Sequence, residues 1–379
     1  MPRTLLAISN HEEIVGGGEH SLIDLLGRLP GEWRLLAVVP GERAVADRLR
    51  SRSVPVATVA LPEIRPWRLA AIGRSLKELR SICRGHGVSL IYANGSRAAF
   101  YGGLVGKMTH RPVVWHCRVT GRDRILDPIL ERLCTRIVAN SHATSARFKE
   151  DSQNKVTVVH NGIDIDWFQS PPSALPALAD GRRKIILMVA RRSRWKRHDL
   201  ALSAFDLVAS ADPAAHLVCI GNPDPDDKAW DQHLRERVRL SAFHERIKWM
   251  DAVEDVRPWY HAATVSLLTS QNEPFGRVLV EAMACGVPIV ATTGGGVGEI
   301  IRNGEDGFLV DSGQPSDIAA AIIRLLNDED LRHKMGPSAR KRSREFSLSA
   351  HIRCMVGLFE DTLKQFSATG EKNATPGYH

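Results

Sequence analysis

The chain has 379 residues, more than one ordinary hydrophobic core accommodates, so we expect two domains. A composition of 43% hydrophobic and 25% charged residues excludes a disordered or fibrous protein, and no apolar run approaches the roughly 20 residues of a bilayer span. The formal net charge of +8 favours an anionic ligand such as a nucleoside diphosphate, an acidic lipid headgroup or a nucleic acid.

Short apolar runs alternate with longer amphipathic segments along the whole chain. In the first half, the apolar runs predict strands at Thr4–Ile8, Arg34–Val39, Val54–Val59, Leu90–Tyr92, Val113–Trp115, Ile137–Ala139 and Val156–Val159. In the second half, they predict strands at Ile185–Val189, Leu217–Ile220, Ile247–Trp249, Val265–Leu268 and Ile289–Ala291. Helical patterns separate most of these runs. Near-continuous apolar strands alternating with helices predict α/β domains, each with a doubly wound parallel sheet.

A proline-rich segment separates the two halves. We expect an N-terminal domain over residues 1–170, a linker over 171–183 and a C-terminal domain over 184–345. Residues 346–367 have the pattern of an amphipathic helix, and residues 368–379 are predicted to be disordered. Because open parallel sheets bind ligands beyond the carboxyl ends of their strands, two such domains would enclose a ligand in a central cleft.

The cysteines give no sign of a metal or redox centre. None of the six lies in a CxxC pair, so neither a zinc site nor a dithiol motif is indicated. The N-terminal residues lack the apolar run of a signal peptide. We therefore expect a cytoplasmic protein in a reducing compartment.

A glycine-rich loop, VGGGEHSL, follows the first predicted strand. Gly16, Gly17 and Gly18 let the backbone approach a ligand closely, and a helix beginning at Glu19 would direct free N–H groups at an anion. An ordinary flexible loop fits the segment equally well. Neither this stretch nor TTGGGVGEII matches the GxGxxG fingerprint, which disfavours a nicotinamide dehydrogenase.

Two further strand ends carry polar groups. The strand KIILMVA runs directly into RRSRWKRHD, where Arg191 and Lys196 straddle the turn. Fixed cations of this kind suit a diphosphate, although a solvated basic loop is the alternative. The strand VVWHCR carries His116 near its end, as either a hydrogen-bonding and proton-handling group or a structural histidine.

The stretch SQNEPFGRVLVEAMACGVPIVAT places one glutamate before a helix and one within it. Glu273 lies in the loop after a predicted strand, and the helix begins near Arg277. Free N–H groups around Phe275–Arg277 can donate to an oxygen-rich ligand, and carboxylates can accept from sugar or ribose hydroxyls. Glu281 lies in an otherwise apolar helix, where a carboxylate needs a partner.

These motifs resemble those of the retaining glycosyltransferases of family 4, which have the GT-B fold. EPFGRVLVE matches the E-x7-E signature, and GGGE, HNGID, DVRPWY, AMACGVPIVAT and GEDGFLV match further family motifs. The resemblance implies two Rossmann-like domains that face a central cleft, with the last helix returning to the N-terminal domain. One departure is Arg197, at a position where many members have glycine.

The resemblance implies roles for the glutamate stretch. Glu273, with the backbone of Phe275, Gly276 and Arg277, would hold the hydroxyls of the donor sugar. Glu281 would bind the ribose hydroxyls of the nucleotide.

It also implies roles elsewhere in the chain. Arg191 and Lys196 would neutralise the diphosphate leaving group, and Gly17 would approach that diphosphate. His116 would lie beside the reacting sugar, and the Met250–Asp251 turn would meet the base.

The implied activity is retaining transfer of a hexose-type sugar from a UDP- or GDP-linked donor to a hydroxyl acceptor, without a metal or cofactor. The acceptor is a glycan, a lipid-linked compound or a small natural product. Two alternatives remain, a nucleotide-sugar epimerase of the same fold and a non-catalytic nucleotide-sugar-binding protein. No aromatic–basic ladder supports binding of nucleic acid.

The segment Ile64–Arg84 is basic on one side of its predicted helix. One apolar side of this helix is predicted to face the core, and the other side carries Arg68, Arg74, Lys77 and Arg84. The pattern fits either a solvated helix packed on the sheet or a peripheral contact with an anionic membrane surface, at the inner face of the membrane.

Overall fold

The computed structural model describes residues 3–311 and 313–373, with the side chains of 369–373 left undescribed. The chain divides into two compact units. The first comprises the residues up to Gly162 together with the last helix, and the second comprises Ile163–Ser347. Each unit is α/β with a parallel sheet, so the predicted fold class is confirmed.

The sheet of the first unit has seven parallel strands within the described residues, in the order β3-β2-β1-β4-β5-β6-β7. The strands are β1 Arg3–Ser9, β2 Trp33–Val39, β3 Val56–Thr58, β4 Leu90–Asn94, β5 Val113–Cys117, β6 Arg136–Ala139 and β7 Val156–Val158. The central strands are buried on both faces, which is why they are apolar at nearly every position.

Helices cover both faces of this sheet. They are α1 Gly17–Leu26, α2 Ala44–Arg50, α3 Leu69–Gly85 (preceded by the 3₁₀ turn Pro66–Arg68), α4 Ser96–Thr109, α5 Leu126–Leu133, α6 His142–Ser145 and α7 Glu150–Gln153. The last helix, numbered α16 in chain order, is Leu348–Asn373 and packs on this unit. Its Phe359 is fully buried and makes edge-on contacts with the rings of Trp33 and Tyr92.

The sheet of the second unit has six parallel strands in the described chain, in the order β10-β9-β8-β11-β12-β13. They are β8 Lys184–Val189, β9 Ala215–Ile220, β10 Ile247–Met250, β11 Val265–Leu268, β12 Ile289–Thr292 and β13 Gly307–Val310. The strand β13 is missing from the sequence prediction. It is short, begins with glycine and is only partly buried, so its apolar signal is weak.

The helices of the second unit are α8 Ile165–Gln169, α9 His198–Ala211, α10 Lys228–Leu240, α11 Arg257–Ala262, α12 Arg277–Ala284, α13 Val297–Ile300, α14 Pro315–Asn327 and α15 Glu329–Ser343. The remaining 3₁₀ turns are Arg194–Lys196, His244–Arg246 and Arg344–Phe346. Among the described residues, no helix combines the length and the apolar character that crossing a bilayer requires.

The boundary between the units differs from the sequence prediction. It falls after Gly162 rather than after residue 170, because α8 buries Ile165 and Phe168 in the core of the second unit. The proline-rich residues 171–183 therefore belong to the second unit and do not separate two domains.

The C-terminal boundary also shifts. The backbone N–H of Ile163 donates to the carbonyl of Phe346 at 3.0 Å, so residues 346–347 stay with the second unit and α16 begins at Leu348. Residues 368–373, predicted to be disordered, continue this helix, and the rest of the predicted tail lies outside the described residues.

The buried side chain of His198 should make the stability of the fold depend on pH. Burial, reinforced by the cations of Lys196 and Arg192, lowers the pKa of His198 from 6.5 to about 3. Between these values the unfolded chain binds a proton that the folded chain does not, so His198 alone should lower the free energy of unfolding by about 1.4 kcal/mol for each unit that the pH drops. Urea unfolding at several pH values measures this slope.

We expect His198→Gln to reduce the slope by about 1.4 kcal/mol per pH unit, because the substituted side chain does not titrate. His333 is the matched control, since its side chain is 75% exposed and its replacement by glutamine should leave the slope unchanged. Equal slopes for wild type and His198→Gln would contradict the assignment.

Candidate functional site

The candidate donor site lies at the carboxyl edge of the second sheet. Lys196 ends the 3₁₀ turn that follows β8, and Glu273 lies in the loop that follows β11. These strands are neighbours in the sheet, although they are distant in sequence. Because parallel strands end at the same edge, the topology brings the two loops together.

The two predicted side chains contact each other directly. Lys196 Nζ lies 2.6 Å from Glu273 Oε2, and the side chains are only 13% and 7% exposed. The ammonium also lies 4.0 Å from the centroid of the Trp195 ring. A short, charge-assisted contact at so little exposure fixes both groups in place. An anion at this position would compete with Glu273 for the ammonium, while hydroxyl groups would donate to the carboxylate.

Backbone contacts tie the two loops together. The N–H of Gln271 donates to the carbonyl of Trp195 at 2.7 Å, and the Thr269 hydroxyl donates to the carbonyls of Lys196 and Arg197, each at 2.9 Å. Arg197 has φ 54, in the left-handed region that glycine adopts without strain. This conformation explains why glycine suits the position of Arg197, at which this chain departs from the family pattern.

The Glu273 loop is held by a second glycine-rich loop. The N–H of Gly296 donates to the Glu273 carbonyl at 2.8 Å. A Cβ on Gly295 would lie 2.0 Å from the same carbonyl oxygen, so the backbones touch. Gly276, at the start of α12, has φ 91 and allows the sharp entry into the helix. Sequence reasoning found the TTGGGVGEII stretch but missed its role as a support for Glu273.

The residues after Glu273 reach the site through their backbone. The Phe275 side chain is 2% exposed and packs edge-on against Phe346, so only its main chain is placed for a ligand. Arg277 begins α12, and its Nε lies 4.0 Å from Glu281 Oε1.

Glu281 has the partner that its apolar helix requires. The hydroxyl of Tyr260 donates to Glu281 Oε2 at 3.1 Å. Burial, together with the Glu281 carboxylate, raises the pKa of Tyr260 well above its usual range, so the phenol keeps its proton. Sequence reasoning matched the DVRPWY motif that contains Tyr260 but missed this contact.

Two adjacent arginines after β8 have different surroundings. Arg191 is 32% exposed, and its Nη2 lies 3.8 Å from Asp224 Oδ2. Arg192 is buried and donates to the Asp251 carboxylate at 2.8 Å and to the Met250 carbonyl at 3.2 Å. Arg192 therefore fixes the Met250–Asp251 turn, a role that the sequence prediction missed because adjacent arginines look alike in sequence.

In the first unit, the glycine-rich loop leads into α1. The helix begins at Gly17 and not at Glu19 as predicted, and the Gly16 N–H donates to the Glu19 carboxylate at 3.1 Å. A Cβ on Gly18 would lie 3.3 Å from Cδ of Arg118. Gly18 thus lets this loop approach Arg118 closely, whereas a Cβ on Gly16 would meet open space.

The strand β5 carries His116 and, beyond its end, Arg118. His116 is fully buried, with Nδ1 2.7 Å from the Tyr92 hydroxyl and 3.2 Å from Arg118 Nη2. Burial and the Arg118 cation hold the pKa of His116 well below 6.5, so the ring is neutral. The structure therefore does not expose His116 to a ligand. Arg118 is partly exposed and its Nε donates to Asn94 Oδ1 at 2.9 Å, a group that sequence reasoning missed.

The first unit also has a cavity of about 760 Å³ at the carboxyl ends of β1 and β3. Polar and charged side chains dominate its wall, including Asn10, His11, Glu12, Arg68, Arg74 and Arg97. Its volume suits a small-molecule ligand. A second cavity, of about 720 Å³, lies beside α14 and α15, away from the strand ends that form the site.

Comparison with known proteins identifies the family. Residues 176–342 match the model of "Glycosyl transferases group 1", and residues 15–167 match that of "Glycosyltransferase Family 4". A D-inositol 3-phosphate glycosyltransferase of Thermomonospora curvata is 29% identical over 252 residues, which are 62% of this chain and 58% of that protein. One of Corynebacterium jeikeium is 29% identical over 330 residues, covering 78% of this chain and 77% of that protein. The chain thus spans about three fifths of the first of these relatives and over three quarters of the second.

A solved structure supports the fold. Anabaena Alr3699/HepE, in complex with UDP and glucose, has a TM-score of 0.84 and 21% identity, covering 95% of this chain and 100% of that one. The two family models together cover most of the sequence, and the chain belongs to the family 4 (group 1) glycosyltransferases with the GT-B fold.

Proposed function

We propose that this protein is a retaining glycosyltransferase that moves a hexose-type sugar from a UDP- or GDP-linked donor to a hydroxyl acceptor. The observation that carries the proposal is the buried contact of Lys196 with Glu273 beside the start of α12. A cation for a diphosphate and a carboxylate for hydroxyls are the complementary groups that a nucleotide sugar needs. The complexes of Anabaena HepE with UDP and with UDP-glucose support this class of donor.

In the proposed reaction, the bond between the sugar and the phosphate breaks. The sugar becomes oxocarbenium-like, and the diphosphate gains negative charge. Arg191 and Lys196, with the N–H groups at the start of α12, would stabilise that charge. We propose that these groups make a metal unnecessary. The leaving phosphate oxygen would accept the proton of the acceptor hydroxyl on the same face, which retains the anomeric configuration.

We propose that the acceptor binds in the polar cavity of the first unit. Arg68, Arg74 and Arg97 supply its wall with cations, and Glu12, Glu63 and Glu78 balance their charge. The cations can bind an anionic group, while the carboxylates and Asn10 can bond hydroxyls. The curated relatives named D-inositol 3-phosphate glycosyltransferase support an acceptor that is rich in hydroxyls and carries an anion.

In the first unit, we propose that the Arg118 cation contacts a substrate. His116, buried behind it, would position Arg118 rather than touch the reacting sugar. We further propose a cytoplasmic location, to which the six free cysteines are suited.

A panel of nucleotide sugars that differ in base and hexose tests the donor. Stabilisation of the folded state grows as RT ln(1+[L]/Kd), so the true donor should raise the melting temperature most. The same donor is then incubated with hydroxyl acceptors, with and without EDTA, and the anomer of the product is read by NMR. Transfer with retained configuration, unaffected by EDTA, is expected. Conversion of the donor without an acceptor would identify an epimerase, and binding without turnover would identify a non-catalytic protein.

Replacing Tyr260 by phenylalanine should weaken the binding of the ribose of the nucleotide. The carboxylate of Glu281 would lose one hydrogen bond, worth about 1 kcal/mol or roughly a fivefold rise in Kd for the nucleoside diphosphate. Calorimetric titration with the ribose and the 2′-deoxyribose nucleotides measures the effect. The 2′-deoxyribose nucleotide is the control. Because it lacks one ribose hydroxyl, the difference in Kd between wild type and Tyr260→Phe should be smaller for this nucleotide. An equal loss for both nucleotides would argue that Glu281 does not bind the ribose.

A further inference from the structure

Two large apolar side chains, two residues apart in the sequence, are exposed at the start of α3. Trp67 is 76% exposed and Leu69 is 69% exposed. Arg65 precedes them and Arg68 lies between them in the sequence, and the Arg65 guanidinium lies 5.8 Å from the centroid of the Trp67 ring. Single exposed apolar side chains are common, but a tryptophan and a leucine that are both exposed within three residues, among cations, favour a contact surface.

The orientation of α3 is fixed by its buried side. Ile72, Leu79 and Cys83 are buried in the core of the first unit. On the opposite side lie Arg74 and, at helical spacing from it, Lys77 and Arg84, all of them exposed.

The cations of this outer side are exposed, and the exposed carboxylate of Glu78 lies among them. Within the part of the chain that the structure describes, Arg68, Arg74, Lys77 and Arg84 have no hydrogen bond or ion pair with another side chain. Over residues 63–84, six lysines and arginines stand against two glutamates, a net charge of +4. We name Arg65–Leu69 together with Arg74, Lys77 and Arg84 the basic–apolar face.

We propose that the basic–apolar face docks the first unit onto a bilayer that contains anionic phospholipid. Tryptophan and leucine at the edge of a basic amphipathic helix are suited to the headgroup region, while arginine and lysine attract anionic headgroups. The charge is complementary to such a surface. A second copy of the chain would instead bring two identical cationic stripes together, which disfavours self-association through this face.

Docking has a consequence for the proposed reaction. Arg68 and Arg74 belong both to the basic–apolar face and to the wall of the polar cavity. A bilayer held on this face would therefore present its headgroups beside the cavity, where we propose that the acceptor binds. This consequence rests on the proposed function, but the docking itself does not.

Co-sedimentation with vesicles tests the docking. The full-length protein is mixed with vesicles of phosphatidylcholine alone or of phosphatidylcholine with phosphatidylglycerol, at low and at high salt. We expect binding to the anionic vesicles at low salt, little binding to the neutral ones, and release at high salt. Equal binding to both kinds of vesicle, or none to either, would overturn the proposal.

Substitutions on the face provide the second arm. Trp67→Ala with Leu69→Ala should lower the partition coefficient at least about tenfold, because two apolar side chains no longer insert. Arg74→Gln, Lys77→Gln and Arg84→Gln together should lower it by about two orders of magnitude at low salt. The matched control is Leu207→Ala with Leu240→Ala, which removes leucines that are 47% and 67% exposed on the second unit, and it should bind as the wild type does.

Two readouts separate the possible failures. All variants should keep the wild-type melting temperature and its rise with the nucleotide-sugar donor, which report the fold and donor binding independently of vesicles. If Trp67→Ala with Leu69→Ala abolishes a dimer seen by light scattering and leaves vesicle binding intact, the face belongs to a second copy and the proposal is wrong.

Discussion

Replacing Lys196 by alanine is expected to lower kcat for sugar transfer by about 10²–10³-fold. Lys196 Nζ is the cation closest to the Glu273 carboxylate, at 2.6 Å, and in the proposed reaction it stabilises the charge that develops on the diphosphate. Because this charge appears as the bond breaks, the loss should fall on kcat more than on KM. Initial-rate kinetics with the identified donor measures both constants. Glu273→Ala is expected to cause a loss of similar size, since the hydroxyls of the donor sugar would lose their acceptor.

The same substitution should also lower stability. Without the ammonium, the carboxylate of Glu273 stays buried and uncompensated, which costs about 3 kcal/mol. The double variant Lys196→Ala with Glu273→Gln removes that charge and should recover much of the melting temperature, yet remain inactive. This pattern separates a catalytic loss from unfolding.

Arg194 provides the matched control for the loss of a cation. It lies in the same 3₁₀ turn as Lys196, but its side chain is 64% exposed and pairs with Asp227. Arg194→Gln should therefore keep nearly normal turnover. Turnover of Lys196→Ala close to that of the wild type would remove the basis of the proposed function.

Replacing Gly295 by alanine is expected to lower kcat/KM by about 10²-fold without touching a ligand. The new Cβ would lie 2.0 Å from the carbonyl oxygen of Glu273, so the Glu273 loop must move. Gly295 also has φ 63, which adds strain for alanine. A displacement of about 1 Å at a site that orients a substrate is enough for a loss of this size. Kinetics and thermal unfolding of the purified variant measure the two effects.

Substitutions of two other glycines distinguish displacement of the Glu273 loop from backbone strain. Gly304 has φ 82 but no atom within 4 Å of a new Cβ, so Gly304→Ala should reduce stability and spare activity. Gly298 lies in α13 with the same open space and no positive φ, so Gly298→Ala should change neither. If Gly295→Ala keeps the activity of Gly298→Ala, the second glycine loop does not position Glu273.

The fold was largely predictable from the local sequence. Strands buried on both faces are apolar at almost every position, so they are visible in the sequence wherever they are long enough. Strand β13 was missed because it is short and partly buried. The boundary after Gly162 was missed because the burial of Phe168 depends on residues such as Tyr260, which lie far away in sequence.

The sequence by itself determined the α/β class and supplied the residues that we propose carry the chemistry, namely Arg191, Lys196, Glu273 and Glu281. Their residue types and spacing depend on local helix starts and strand ends, which neighbouring residues specify. Only the tertiary structure decided their partners. It paired Lys196 with Glu273 and Tyr260 with Glu281, set Gly295 against the Glu273 loop, and buried His116 behind Arg118. The reason is physical, because crossover connections between parallel strands bring residues from distant segments to one sheet edge, and no local pattern records which of them meet.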